Sequence, residues 1–188
     1  TPEALPAALA DDTVAAIQLT SDINISATLT IKRTVTLDLN GHVLKMTGSG
    51  SVFLIEGNDA KNYFGKLTLT DSNPEAVHKF TPNDAGLWVL NETDGTQTVT
   101  GGVITGGTGY PIQFGSGANV YDAYYGGAVY IKPGGKLTME GGNIVGCSAM
   151  SGKGGGVYVE GDFSMTGGSI SGCSAKSGGG VHVGAWNK

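Results

Sequence analysis

Apolar and polar residues alternate along short stretches of this chain, and glycines separate these stretches from one another. The alternation is clearest near the C-terminal end, at 157–159, 163–165 and 169–171. A period of two residues predicts β-strands that bury one face. Residues 27–46 alternate in the same way, and Asn40-Gly41 predicts a turn. The pattern predicts an all-β chain of short strands joined by tight turns.

The strand pattern repeats along the chain. A strand of the form Val-x-Val or Val-x-Ile starts at residues 129, 157 and 181, shortly after a run of glycines, and the steps between these starts are 28 and 24 residues. Each repeat holds three strands, so one repeat predicts one coil of a parallel β-helix. A coil buries its inner face by stacking on the next coil at ~4.8 Å. The predicted stacked core consists of Val129, Ile131, Leu137, Met139, Ile144, Val157, Val159, Phe163, Met165 and Ile170.

The two ends of the predicted β-helix differ. Residues 1–12 predict a short helix with Thr1 as N-cap and Pro2 as its first residue, and we expect this helix to cover the end of the column. We therefore divide the chain into a cap at 1–16 and a β-helix at 17–188. The last repeat stops after its first strand, which predicts continuation beyond 188 or end-to-end self-association, unless Trp186 closes the column.

Composition narrows the function classes. Glycine occurs 33 times, as expected where a packed chain bends often, and the net charge of -5 argues against nucleic-acid binding. No apolar run is long enough for membrane insertion. Cys147 and Cys173 occupy matching positions one coil apart and are expected to be free, buried thiols, a disulfide being the alternative. The histidines are scattered, so no metal and no cofactor is predicted.

Four phrases carry a resemblance to a known family: "VTLDLNGH", "GGAVYI", "LTMEGGNIVGCSA" and "GGGVYVEGDFSMTGGSISGCSA". They resemble right-handed parallel β-helix repeats of the pectate-lyase-like superfold, especially the glycine-rich repeats of large bacterial cell-surface proteins. The resemblance covers residues 17–188 and implies an extracellular location on a bacterial surface. This superfold carries lyases, hydrolases and adhesins, so the resemblance is specific for fold rather than activity. Its pectate lyases imply a calcium site and a basic residue, and the single arginine, Arg33, is remote in sequence from any acidic cluster.

Aromatic residues are the main candidates for ligand binding. Tyr130, Tyr158 and His182 hold the outward middle position of successive first strands and predict an exterior ladder, which Trp88 would extend if its side chain also points outward. Aromatic faces stack on sugar rings or anchor a protein partner. Alternatively, the tyrosines stack on each other and hold the loop. The insertion at 107–127 adds Tyr110, Phe114, Tyr121, Tyr124 and Tyr125.

Acidic residues give a weaker case for catalysis. Glu56 and Glu160 follow equivalent first strands, but about three coils, or ~14 Å, are expected between them, too far for a glycosidase pair. Asp122 lies closer to Glu160 in the coil order and is the candidate catalytic partner. We therefore predict a non-enzymatic surface module that presents the aromatic face and the 107–127 loop to a glycan or a surface protein. The alternative is a polysaccharide lyase or glycoside hydrolase of the same fold.

Overall fold

The fold is the predicted parallel β-helix. The computed structural model describes residues 1–58, 60, 63–116 and 120–184, so Trp186 lies outside the described residues. Three parallel sheets run the length of the column. The first-strand sheet contains Leu29–Ile31, Phe53–Ile55, Val129–Ile131, Val157–Val159 and Val181–Val183. The second-strand sheet contains Ala16–Gln18, Thr34–Asp38, Lys66–Thr70, Lys136–Met139 and Asp162–Met165. The third-strand sheet contains Ile23–Ile25, Val43–Met46, Val103–Thr105, Asn143–Val145 and Ser169–Ser171.

The coils stack in the predicted register. Leu137 pairs with Phe163, and Ile144 pairs with Ile170, each one coil apart. Nearly all the predicted core residues are buried or packed against the core cluster. Met165 is the exception, because it is 40% exposed. It lies in the last described coil, where no further described strand covers it, and the same position exposes Val181 and Val183. End-to-end self-association stays a prediction.

The third coil, residues 66–131, carries two insertions. The first is an antiparallel sheet, here called the insertion sheet, of Val77–Pro82, Trp88–Leu90 and Gln97–Thr100. Phe80, Val99 and Trp88 pack on the outward residues Val43 and Val145 of the third-strand sheet. Trp88 therefore does not extend the first-strand ladder, because "GLWVL" belongs to an insertion and not to a coil. The backbone N–H of Trp88 donates to the carbonyl of Gly172 at 2.9 Å.

The second insertion is an antiparallel hairpin, here called the aromatic hairpin, of Tyr110–Phe114 and Tyr121–Tyr125. It continues into a parallel sheet with Ser148–Lys153 and Ser174–Ser177. A shorter hairpin pairs Gly57–Asn58 with Tyr63–Phe64. Because both large insertions interrupt one coil, residues that are far apart in sequence become neighbours on either side of it.

The helix Ala4–Ala10 covers the N-terminal end of the column by burying Leu5 and Leu9 against the first coil. It begins later than predicted, after Glu3, although the Thr1 hydroxyl accepts a hydrogen bond from the Ala4 N–H at 3.3 Å. Arg33 fixes the far end of the helix. Its guanidinium donates to the carbonyls of Ala8 at 2.8 Å, Leu9 at 2.8 Å and Val14 at 2.6 Å.

Cys147 and Cys173 lie one above the other, and the N–H of Ser174 donates to the Cys147 carbonyl at 3.0 Å. Both are free thiols. Cys147 is fully buried as expected, whereas Cys173 is only partly buried because it belongs to the last described coil. The hydrogen bond with Cys173, together with burial, raises the pKa of the Cys147 thiol.

Candidate functional site

Tyrosines form a ladder on the outer side of the first-strand sheet. Strand alternation turns Val129 and Ile131 into the core and Tyr130 away from it. Tyr130 lies in register with Leu54 on one side and Tyr158 on the other, and Tyr158 is in turn in register with His182. The Tyr130 and Tyr158 rings are 5.4 Å apart, and Tyr158 stacks on His182 at 5.5 Å with an 18° interplanar angle.

This ladder is covered, contrary to the expectation of an exterior ladder open to a ligand. Tyr130 is 4% exposed and Tyr158 is 7% exposed. The aromatic hairpin folds over them, because its own apolar residues need a surface to pack on, and the ladder supplies one. Together these residues form the tyrosine cluster, which consists of Leu54, Tyr130 and Tyr158 with Tyr110, Ile112 and Tyr125 packed on top.

The hairpin presents its two faces differently. Tyr125 contacts Tyr158 at 4.6 Å, and Ala123 on the same face is buried. Alternation therefore turns Asp122 and Tyr124 to the opposite face, where Asp122 is exposed. The exposed rings lie at the tip: Phe114 is 38% exposed and Tyr121 is 64% exposed, and they stack at 5.8 Å with a 22° interplanar angle. Phe114 also meets the edge of Tyr125 at 6.2 Å, so the tip rings are continuous with the tyrosine cluster.

A row of alternating charges runs beside the cluster. The residues directly after the first strands of four successive coils are, in coil order, Lys32, Glu56, Lys132 and Glu160, here called the charge row. Lys132 Nζ lies 2.8 Å from Glu56 Oε1, and Lys32 Nζ lies 3.6 Å from Glu56 Oε2. Lys132 also stands 5.5 Å from the centroid of the Tyr110 ring. The row therefore links the hairpin base to the column.

The position of Glu56 corrects the expected coil count. Glu56 and Glu160 are two coils apart and not the expected three, because Trp88–Leu90 lies in the insertion sheet and adds no coil between them. Two strand spacings separate the two residues by about 10 Å. Lys132 stands between them and pairs with Glu56, so the two carboxylates do not flank an open space.

The carboxylates of the row differ in their partners. Burial alone would raise the pKa of Glu56, but the hydrogen bond and charge of Lys132, with the charge of Lys32, outweigh it and lower that pKa. Glu160 accepts hydrogen bonds from the hydroxyls of Tyr130 at 2.6 Å and Tyr158 at 3.4 Å. Burial and the Glu160 charge raise the pKa of Tyr158 to about 12, and burial together with the bond to Glu160 raises that of Tyr130 further.

The two candidate catalytic carboxylates have different surroundings. Asp122 lies on the outer face of the hairpin, whereas Glu160 lies against the hydroxyls of the two tyrosines, and no contact joins them among the described residues. Within residues 1–58, 60, 63–116 and 120–184, no group of three or more His, Cys, Asp or Glu side chains could hold a metal ion. Arg33 is committed to helix carbonyls. His182 stacks on the ladder, and burial, followed by the charge of Lys153, lowers its pKa.

Sequence reasoning missed Lys32 and Lys132 as parts of the site. The signal was present, because four of the first strands end in an apolar residue followed by a charge, and the sign of that charge alternates in coil order: Ile31-Lys32, Ile55-Glu56, Ile131-Lys132 and Val159-Glu160. The alternation of sign appears only when the first strands are taken in their stacked order. The stacked order, not the linear order, makes these four residues neighbours.

One known family matches most of the chain. A family model described as a pectate lyase-like adhesive domain matches residues 1–166. The chain belongs to this family. No curated protein and no solved structure shows significant similarity to this adhesive domain. The match supports an adhesin-like and surface-exposed role, and it includes the aromatic hairpin and the whole charge row. The described part of the chain holds no helix with the length and apolar character that spanning a bilayer requires.

Proposed function

We propose that this adhesive domain binds its partner through the exposed aromatic tip of the hairpin at 107–127, on the surface of a bacterial cell. One observation carries the proposal: Phe114 and Tyr121 stack and stay exposed on a hairpin whose base is held by a buried cluster. Soluble proteins rarely leave adjacent aromatic rings exposed without a binding role. A rigid platform of this kind loses little conformational entropy when a ligand binds.

The other aromatic residues act in this proposal as the support of the tip. Tyr110, Tyr125, Tyr130 and Tyr158 fix the hairpin against the column, and His182 extends the ladder at its margin. A glycan would place the apolar face of a sugar ring on the tip, whereas a protein would use the rings as anchors. In either case, the ligand contacts Phe114 and Tyr121 first.

The test compares the two faces of one hairpin. The double variant Phe114→Ala/Tyr121→Ala removes the exposed rings, and the double variant Gln113→Ala/Asp122→Ala changes the opposite face of the same strands. Both proteins are applied to a glycan array and to fixed cells, and thermal melting checks their folding. We expect the first variant to lose retention about tenfold or more, as for an aromatic anchor, and the control to retain it. Equal retention by both variants would place the binding surface elsewhere.

A further inference from the structure

In the charge row beside the tyrosine cluster, every charge but one has an oppositely charged partner in direct contact. Glu56 lies between two lysines, and Lys132 is turned toward Glu56 and the Tyr110 ring. Glu160 is one coil from Lys132, but among the described residues no lysine, arginine or histidine pairs with it. Its partners are the two tyrosine hydroxyls, which are neutral. The negative charge of Glu160 is therefore the one in this row that no cation offsets by direct contact.

The charge of Glu160 lies beside the tyrosines that support the tip of the hairpin. Tyr130 and Tyr158 point their hydroxyls at Glu160, and the charge also acts on the phenol of Tyr125. Tyr125 in turn contacts Phe114 at the tip. Glu160 is partly exposed, and an ionised carboxylate has about four acceptor positions, of which the tyrosines occupy two. Its remaining positions accept hydrogen bonds from sugar hydroxyls but repel another carboxylate.

We infer that Glu160 determines the charge class of the ligand, so that the aromatic tip takes uncharged glycans and rejects acidic ones such as uronate polymers. This inference rests on the proposed function. A glycan suits the surface better than a protein partner, because two exposed rings are far too small for a stable protein interface of about 800 Å² per partner. A neutral sugar loses nothing to the charge of Glu160, whereas a uronate on the same aromatic surface meets a like charge.

The experiment uses a swap that keeps the shape of the side chain. In Glu160→Gln the amide oxygen accepts from one tyrosine hydroxyl and the amide NH2 donates to the other, while the charge is removed. Glu140→Gln is the matched control, because it changes the net charge equally at an exposed residue that follows a second strand. Wild type and both variants are bound to immobilised dextran, mannan and polygalacturonate at low and at high salt, and thermal melting checks their folding.

We expect wild type to bind a neutral polymer with little salt dependence and Glu160→Gln to keep that affinity. Removing one like charge should raise the affinity of Glu160→Gln for polygalacturonate about tenfold, and Glu140→Gln should show no such gain. The inference fails if the two variants behave alike, if wild type binds polygalacturonate as well as the neutral polymers, or if no polymer binds any form. The proposed function fails separately if the tip variant Phe114→Ala/Tyr121→Ala still adheres to cells like wild type.

Discussion

Replacing Tyr130 by alanine tests whether the tyrosine cluster holds the hairpin. The ring is 4% exposed and contacts Tyr158 at 5.4 Å, Tyr110 at 5.9 Å and Tyr125 at 6.5 Å. Truncating a buried aromatic ring costs about 3–5 kcal/mol. The cluster lies outside the main core, so the hairpin can settle partly into the space. We therefore expect Tyr130→Ala to lower the free energy of unfolding by about 3 kcal/mol.

Tyr130→Phe separates the ring from its hydroxyl. This variant keeps the packing and removes the 2.6 Å hydrogen bond to Glu160. Water can replace the lost donor because Glu160 is partly exposed, so the expected cost is about 1 kcal/mol. The difference between the two variants measures the contribution of the ring.

Chemical denaturation gives the global free energy, and hydrogen exchange resolves the hairpin. In Tyr130→Ala we expect residues 110–114 and 121–125 to exchange faster, while the core strands Lys136–Met139 and Asn143–Val145 keep their protection. A loss below about 1 kcal/mol with unchanged exchange in the hairpin would refute the reasoning. It would show that the tyrosines do not support the tip and that the hairpin is held by its parallel pairing with the next coil.

Three further outcomes follow from named contacts. Arg33→Met should lower the free energy of unfolding by about 2 kcal/mol and speed hydrogen exchange in residues 4–14, because the guanidinium donates hydrogen bonds to the carbonyls of Ala8, Leu9 and Val14. Unchanged exchange in these residues would contradict this prediction. Glu56→Gln should lower the free energy of unfolding at neutral pH and match wild type in acid. The pKa of Glu56 is lower in the folded than in the unfolded protein, so its stabilisation is present above the unfolded pKa and is lost as the pH falls through the folded pKa. A pH-independent difference would count against the ion pairs. Gly172→Ala should lower the free energy of unfolding by about 1–3 kcal/mol and loosen the insertion sheet. The φ of Gly172 is +57°, and a Cβ there would lie 2.1 Å from the Trp88 ring. Hydrogen exchange like that of wild type in residues 77–100 would refute this contact.

The stacked core was predictable because it depends on short-range sequence patterns. Alternation in residues 27–46 placed Leu29, Ile31, Val35, Leu37 and Leu39 inside, and all five are buried. The turn at Asn40-Gly41 is present, with both residues at positive φ and the His42 N–H bonded to the Leu39 carbonyl at 2.8 Å. Each of these features depends on residues a few positions apart or on the same position one repeat away.

The covering of the site was predictable only as an alternative, in which the tyrosines stack on each other and hold the loop. Tyr130 has the alternation of an exposed outward residue, and the hairpin that precedes it in sequence folds over it and buries it. Trp88 lies in a continuous apolar stretch, residues 87–90, whose sequence is compatible with a coil strand, although its pairing is antiparallel. In both cases an insertion supplies the partner, and no repeat position indicates where an insertion will pack.

The placement of both insertions in one coil has a consequence for how the site is built. The insertion sheet covers the outward face of the third strands, and the aromatic hairpin covers that of the first strands. The next coil, residues 136–160, completes the site with Tyr158 and Glu160. The regular coils therefore form a fixed surface on which the inserted loop packs. Glu56 and Lys132 belong to this surface and pair although 76 residues of sequence separate them. Exchanging the loop at 107–127 should change what the surface binds without disturbing the stack, because core strands flank it on both sides and pair independently of it.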